Sequence, residues 1–66
     1  MAYQNLIRNF AHYTMQPRQI EAWMRSEHGT LDGLSRGQFI DAVIAAERCI
    51  LADPELSEKL AQSYGL

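Results

Sequence analysis

The stretch from Ser35 to Ala52, SRGQFIDAVIAAERCILA, constrains this chain more than any other. It is the longest uninterrupted helix-like run. It also holds the densest set of apolar residues: Phe39, Ile40, Val43, Ile44, Ala46, Cys49, Ile50 and Leu51. At ~100° per residue, Gln38, Asp41 and Arg48 gather on one narrow arc, with Glu47 the exception among the polar positions. The apolar arc runs from Cys49 through Ala46, Phe39, Ile50 and Val43 to Ile40, Leu51 and Ile44, and is roughly 220° wide. A helix that is apolar over most of its circumference has to be covered by other elements. Residues 35–52 are therefore expected to form the central helix of an all-α fold, a compact bundle of about four helices.

The flanking segments supply the other three. Tyr3, Leu6, Ile7 and Phe10 recur at the spacing of one helix face, and Tyr13 extends it, so a first helix is expected over Tyr3–Tyr13. Thr14-Met15-Gln16 breaks the pattern, and Pro17 suits the first position of a second helix. That helix runs to about His28, carries Ile20, Trp23 and Met24 as its stripe, and stops at Gly29. Glu21 and Arg25 stand in the favourable i, i+4 order for its exposed side. Leu31 and Leu34 are expected to pin the following loop to the core. Ser35 and Gln38 form the Ser-x-x-Gln capping box of the central helix. Asp53-Pro54-Glu55 ends it and caps the last helix, on which Leu56, Leu60 and Tyr64 share a face and Glu55 and Lys59 form a second i, i+4 pair. Gly65 and Leu66 have the order of a Schellman close.

Composition excludes several function classes. The 66 residues amount to one domain, 1–66, with a formal net charge of −2. No basic surplus exists to attract a nucleic-acid backbone. The single cysteine, Cys49, allows no internal disulfide and fits a reduced, cytoplasmic location. The first ten residues, MAYQNLIRNF, lack the apolar core of a signal peptide, and no run reaches the ~20 apolar residues of a membrane span. A short chain rich in helix formers and without targeting signals fits a bacterial or phage product.

The segment DGLSRGQFIDAV resembles the second half of an EF-hand, in which Asp-Gly, an apolar residue and a Phe-led helix follow one another. The resemblance implies a helix-loop-helix shape and stops at the ligands. With Gly33 in the place of the loop glycine, the first ligand position falls on His28, the next two on Thr30 and Asp32, and the closing glutamate on Phe39. One carboxylate does not hold calcium usefully. His12, His28 and Cys49 are the soft-metal candidates, and they lie on three different segments without paired spacing. No metal and no cofactor is expected. Cys49 lies well inside a helix, where a thiol is a small buried hydrophobe more often than a nucleophile. There is no Gly-rich phosphate loop and no Ser-His-Asp pattern, so the chain is not expected to be an enzyme.

Two classes remain. The first is a small protein-interaction or regulatory module without catalysis, self-associating as a homodimer, with Ile40, Ile44, Glu47, Leu51 and Trp23 as the candidate interface. A buried Glu47 would then need an arginine partner, Arg8 or Arg25. Trp23 reads either as core, packed on Phe39 or Phe10 with its N–H reaching water, or as an anchor for a partner protein. The second class is a DNA-binding transcriptional regulator. The break at residues 14–16 has the length of a helix-turn-helix turn, and the helix at 17–28 offers Arg18, Gln19, Arg25 and Ser26. A basic face around Arg18 and Arg25 would favour DNA; an apolar face would favour protein.

Overall fold

The computed structural model describes residues 3–66. Within them lie four helices and no strand: α1 (Tyr3–Arg8), α2 (Pro17–His28), α3 (Arg36–Ala52) and α4 (Pro54–Ser63). Local chemistry sets most of these limits. Ser35 Oγ accepts the Gln38 N–H at 3.2 Å while Gln38 Oε1 accepts the Ser35 N–H at 2.9 Å, so the capping box at the start of α3 is closed in both directions. Asp53 Oδ1 accepts the Leu56 N–H at 3.0 Å and caps α4 behind Pro54. Gly29 ends α2 with φ 74°, a left-handed value that glycine takes without steric cost. At the end of α4 the Leu66 N–H returns to the Ala61 carbonyl and the Gly65 N–H to that of Gln62, at 2.9 and 3.0 Å, which completes a Schellman motif.

α1 is shorter than the apolar spacing of Tyr3–Tyr13 suggests. The Asn9 and Phe10 N–H groups bond to Leu6 and Ile7, three residues back, a tightening that closes the helix. Beyond it the His12 N–H donates to the Glu47 carboxylate on α3 at 2.9 Å, so the chain leaves its helical path for a partner elsewhere in the fold. Tyr13, expected to prolong the apolar face, is 91% exposed.

The core is one cluster. α3 contributes Phe39, Ala42, Val43, Ala46 and Ile50, more than any other helix; Ile7, Ile20, Met24 and Leu31 complete it. Leu34 packs against its edge, so both loop leucines serve as expected. Phe39 meets Tyr3 and Phe10, with ring centroids 6.5 and 6.3 Å away, and this aromatic trio fastens α1 across the end of α3. The middle of the bundle is shared between α3 and α2, for α2 packs against all three other helices. Glu21 is buried as a result, 5% exposed, where the sequence suggested the outer side of α2. Its carboxylate is satisfied by Arg25 Nε at 2.8 Å and by Gln4 Nε2, 3.3 Å away on α1.

α4 differs from expectation in the face it buries. Leu56 and Tyr64 are exposed, and the residues turned inward are Ser57 and Ala61, both fully buried. Their small side chains let α4 settle against α2 rather than along the outer side of α3. The Ser57 hydroxyl donates to the Asp53 carbonyl and accepts the Trp23 indole N–H, each at 2.9 Å. The indole N–H thus ends on α4 instead of in water. Glu55 and Lys59 form no ion pair among the described residues.

Two substitutions test this packing. Ser57→Ala leaves a half-buried indole N–H without its acceptor and should cost about 1–3 kcal/mol, lowering Tm by several degrees in a chain of this size. Ser35→Ala removes the acceptor at the start of α3 and should cost about 1 kcal/mol. Thermal melts followed by circular dichroism read both; an unchanged Tm in either variant would place that contact outside the native fold.

Candidate protein interface

Four of the five candidate residues come together. On α3, Glu47, Ile40, Leu51 and Ile44 fall in that order within an arc of about 60°, next to the arc that faces the core. Ile40 is half-buried, while Ile44 is 43% and Leu51 71% exposed. Alongside them lies the loop that follows α1. His12, Thr14 and Met15 form one wall of a shallow groove whose other side is Ile44, Glu47, Arg48 and Leu51. This groove is largely apolar and lies open to solvent.

The loop wall is built by hydrogen bonds. The bond from the His12 N–H to Glu47 ties the loop to α3. His12 Nδ1 accepts the Thr14 N–H at 3.2 Å and lies 2.7 Å from Thr14 Oγ1, while the imidazole stacks on Tyr13 with centroids 4.6 Å apart. A backbone N–H can only donate, so Nδ1 is the acceptor in that contact. Glu47 thereby has a role within one chain. It interrupts the apolar arc, and its carboxylate accepts the His12 N–H of the loop. Within one chain Arg25 is held by Glu21, and Arg8 forms no ion pair among the described residues.

Trp23 lies apart from these four. It lines a different groove, between α2 and α3, together with Met24, Glu27, His28, Ala46 and Cys49. Cys49 is half-buried there on the flank of α3 away from Leu51. His28 shares this groove while His12 belongs to the loop wall, so the three soft-metal candidates are divided between two sides of α3. Thr14 and Met15 are residues of the Ile44–Leu51 groove that the sequence does not single out; they sit in the break before Pro17, where no periodicity marks them.

The basic residues of α2 are committed within the fold. Both terminal nitrogens of Arg18 bond to the Glu58 carboxylate, and one also reaches the Leu66 carbonyl at 2.7 Å. Gln19 donates to the same carboxylate at 3.1 Å. Arg25 pairs with Glu21 and lies over the Tyr3 ring, 5.6 Å from its centroid. Of the four side chains that could read bases, only Ser26 remains uncommitted. The connection between α1 and α2 also runs from Asn9 to Gln16, since α1 ends at Arg8. That is longer than the three or four residues of a helix-turn-helix turn.

Glu58 is the electrostatic fastening of α4 to α2. Hydrogen bonds from Arg18, Gln19 and Gln62 favour its charged form and hold its carboxyl at about 2, below the ordinary 4.5. A carboxyl that titrates lower in the folded than in the unfolded chain adds stability above the unfolded value and loses it as pH falls through the folded one. Glu58→Gln should therefore lower Tm at neutral pH, and the gap to the parent protein should close between about pH 4.5 and pH 2. A gap that stayed constant over this range would mean that the ion pair does not form in solution.

No helix among the described residues is long and apolar enough to cross a membrane. No protein-family model matches the chain, and neither a curated protein nor a solved structure matches it.

Proposed function

We propose that this protein is a small, non-catalytic protein-interaction module of the cytoplasm that self-associates through the outer face of α3. The observation that carries the reading is the pair Ile44 and Leu51, exposed two turns apart on one face of α3 along a groove walled by Met15. A chain of this length buries only ~60% of its unfolded surface. Covering two large aliphatic side chains is a direct way to gain stability, at most on the order of 1.5–3 kcal/mol for each and less for Ile44, which is only 43% exposed to begin with. Exposed apolar side chains that line a common groove are candidates for a contact surface, and paired subunits are the commonest assembly.

Other features agree with this reading over its rivals. The free thiol of Cys49 lies in the last turn of α3, far from the helix N-terminus that would activate it. A nucleic-acid role would need free cations on α2, and Arg18 and Arg25 are spent on Glu58 and Glu21.

Absolute mass from light scattering on a size-exclusion column, over a range of loading concentrations, tests the proposal. The mass should rise toward twice the 7.5 kDa of one chain. Ile44→Glu or Leu51→Glu should hold it at one chain while the helical circular dichroism is retained. A mass of one chain for the parent protein at every concentration would refute self-association.

A further inference from the structure

The outer face of α3 is edged by charge in a pattern that selects an orientation. Asp41 and Arg48 are both exposed and stand next to Ile44 on the same flank, at ~180–200° where Ile44 lies at ~140° on a wheel with Phe39 at zero. They are seven residues apart, about 10.5 Å along the helix. Neither takes part in an ion pair among the described residues, whereas Arg18, Arg25, Glu21 and Glu58 all do. Ile40, Ile44, Glu47 and Leu51 have the alternating spacing of four and three that forms the seam of paired helices, and Asp41 and Arg48 each occupy the next position beside that seam. The opposite flank, at Val43 and Ile50, is buried in the chain's own core, and beyond Glu47 stands the loop wall of His12 and Met15.

Resting on the self-association proposed above, we infer that the partner on this face is a second copy of the chain whose α3 runs antiparallel, with Asp41 of each copy paired to Arg48 of the other. The orientation follows from symmetry. In an antiparallel pair the two-fold axis is perpendicular to the plane of the helices, so a given flank meets the same flank of its partner. In a parallel pair it meets the opposite flank, which here is core. The antiparallel register that sets Ile40 against Leu51 brings Ile44 against Glu47. It centres the axis near Ala45 and leaves Asp41 and Arg48 offset by only two residues, about 3 Å, within reach of the arginine side chain. Two reciprocal ion pairs then lie over one edge of the seam. The carboxylate of Glu47 is already held by the His12 N–H at 2.9 Å.

Charge reversal tests this orientation. Asp41→Arg places two arginines against two arginines, and Arg48→Asp two aspartates against two aspartates. Each variant alone should raise the dimer dissociation constant about tenfold or more, since two exposed pairs turn from attraction to repulsion. The double variant, and an equimolar mixture of the two single ones, should recover parental association, the mixture as a hybrid dimer seen by native mass spectrometry. Both positions are exposed, and circular dichroism reports whether each variant stays helical. If a reversal variant unfolds, Asp41→Asn and Arg48→Gln should each weaken the dimer by a smaller factor. A parent protein that dimerises, with reversal variants that match it and a mixture that gains nothing, would overturn the antiparallel pairing while leaving self-association intact. A parent protein that is monomeric at every concentration would overturn both.

Discussion

The contact between α4 and α2 determines what the rest of this molecule leaves exposed. Ser57 and Ala61 are small enough to bring the α4 backbone close to α2, and the Ser57 hydroxyl takes up the Trp23 N–H while bonding back to Asp53. Glu58, one residue on, receives Arg18 and Gln19 from α2. Steric fit, a satisfied buried hydroxyl and an ion pair thus pull α4 the same way. A helix drawn to α2 does not cover the outer side of α3. The exposure of Ile44 and Leu51 is a consequence of this choice of neighbours, and so is that of Leu56 on α4.

A second constraint acts at the other end of the bundle. α1 has only six helical residues, too few to be stable alone in water. It is held by Ile7 in the core, by the Tyr3–Phe39–Phe10 aromatic contacts and by Gln4 bonding to the buried Glu21. The chain then crosses to α3, where Glu47 accepts the His12 N–H. The loop that walls the Ile44–Leu51 groove is therefore anchored to the same helix whose face it borders.

Much of the fold was legible because its signals are local. The Ser35–Gln38 box, Asp53-Pro54, Pro17, Gly29 and the Gly65–Leu66 close each depend on a few neighbouring residues, and each forms as its sequence suggests. What was not legible depends on distant partners. No local pattern shows that Tyr13 lies past the end of α1, because the competing bond comes from Glu47. The buried face of α4 is small and partly polar, so a search for large apolar residues chose Leu56 and Leu60 instead. Glu21 reads as an exposed i, i+4 partner until α1 is laid over it. For the candidate site, the helical period alone sets Ile40, Ile44, Glu47 and Leu51 on one face of α3. The same reasoning gave no sign of Met15, and it could not place Trp23 on the other flank of α3, since both depend on which segment packs where.

The central claim is that α4 belongs to α2 and that the outer face of α3 is closed by a second chain. Methyl signals of Ile44, Leu51 and Leu56, observed by nuclear magnetic resonance with a soluble paramagnetic probe, distinguish the possibilities. At the lowest workable concentration all three methyl groups should be strongly broadened by the probe. On raising the concentration, Ile44 and Leu51 should become protected while Leu56 stays accessible. Protection of Ile44 and Leu51 at every concentration, together with that of Leu56, would mean that α4 covers α3 within a single chain and would contradict the account.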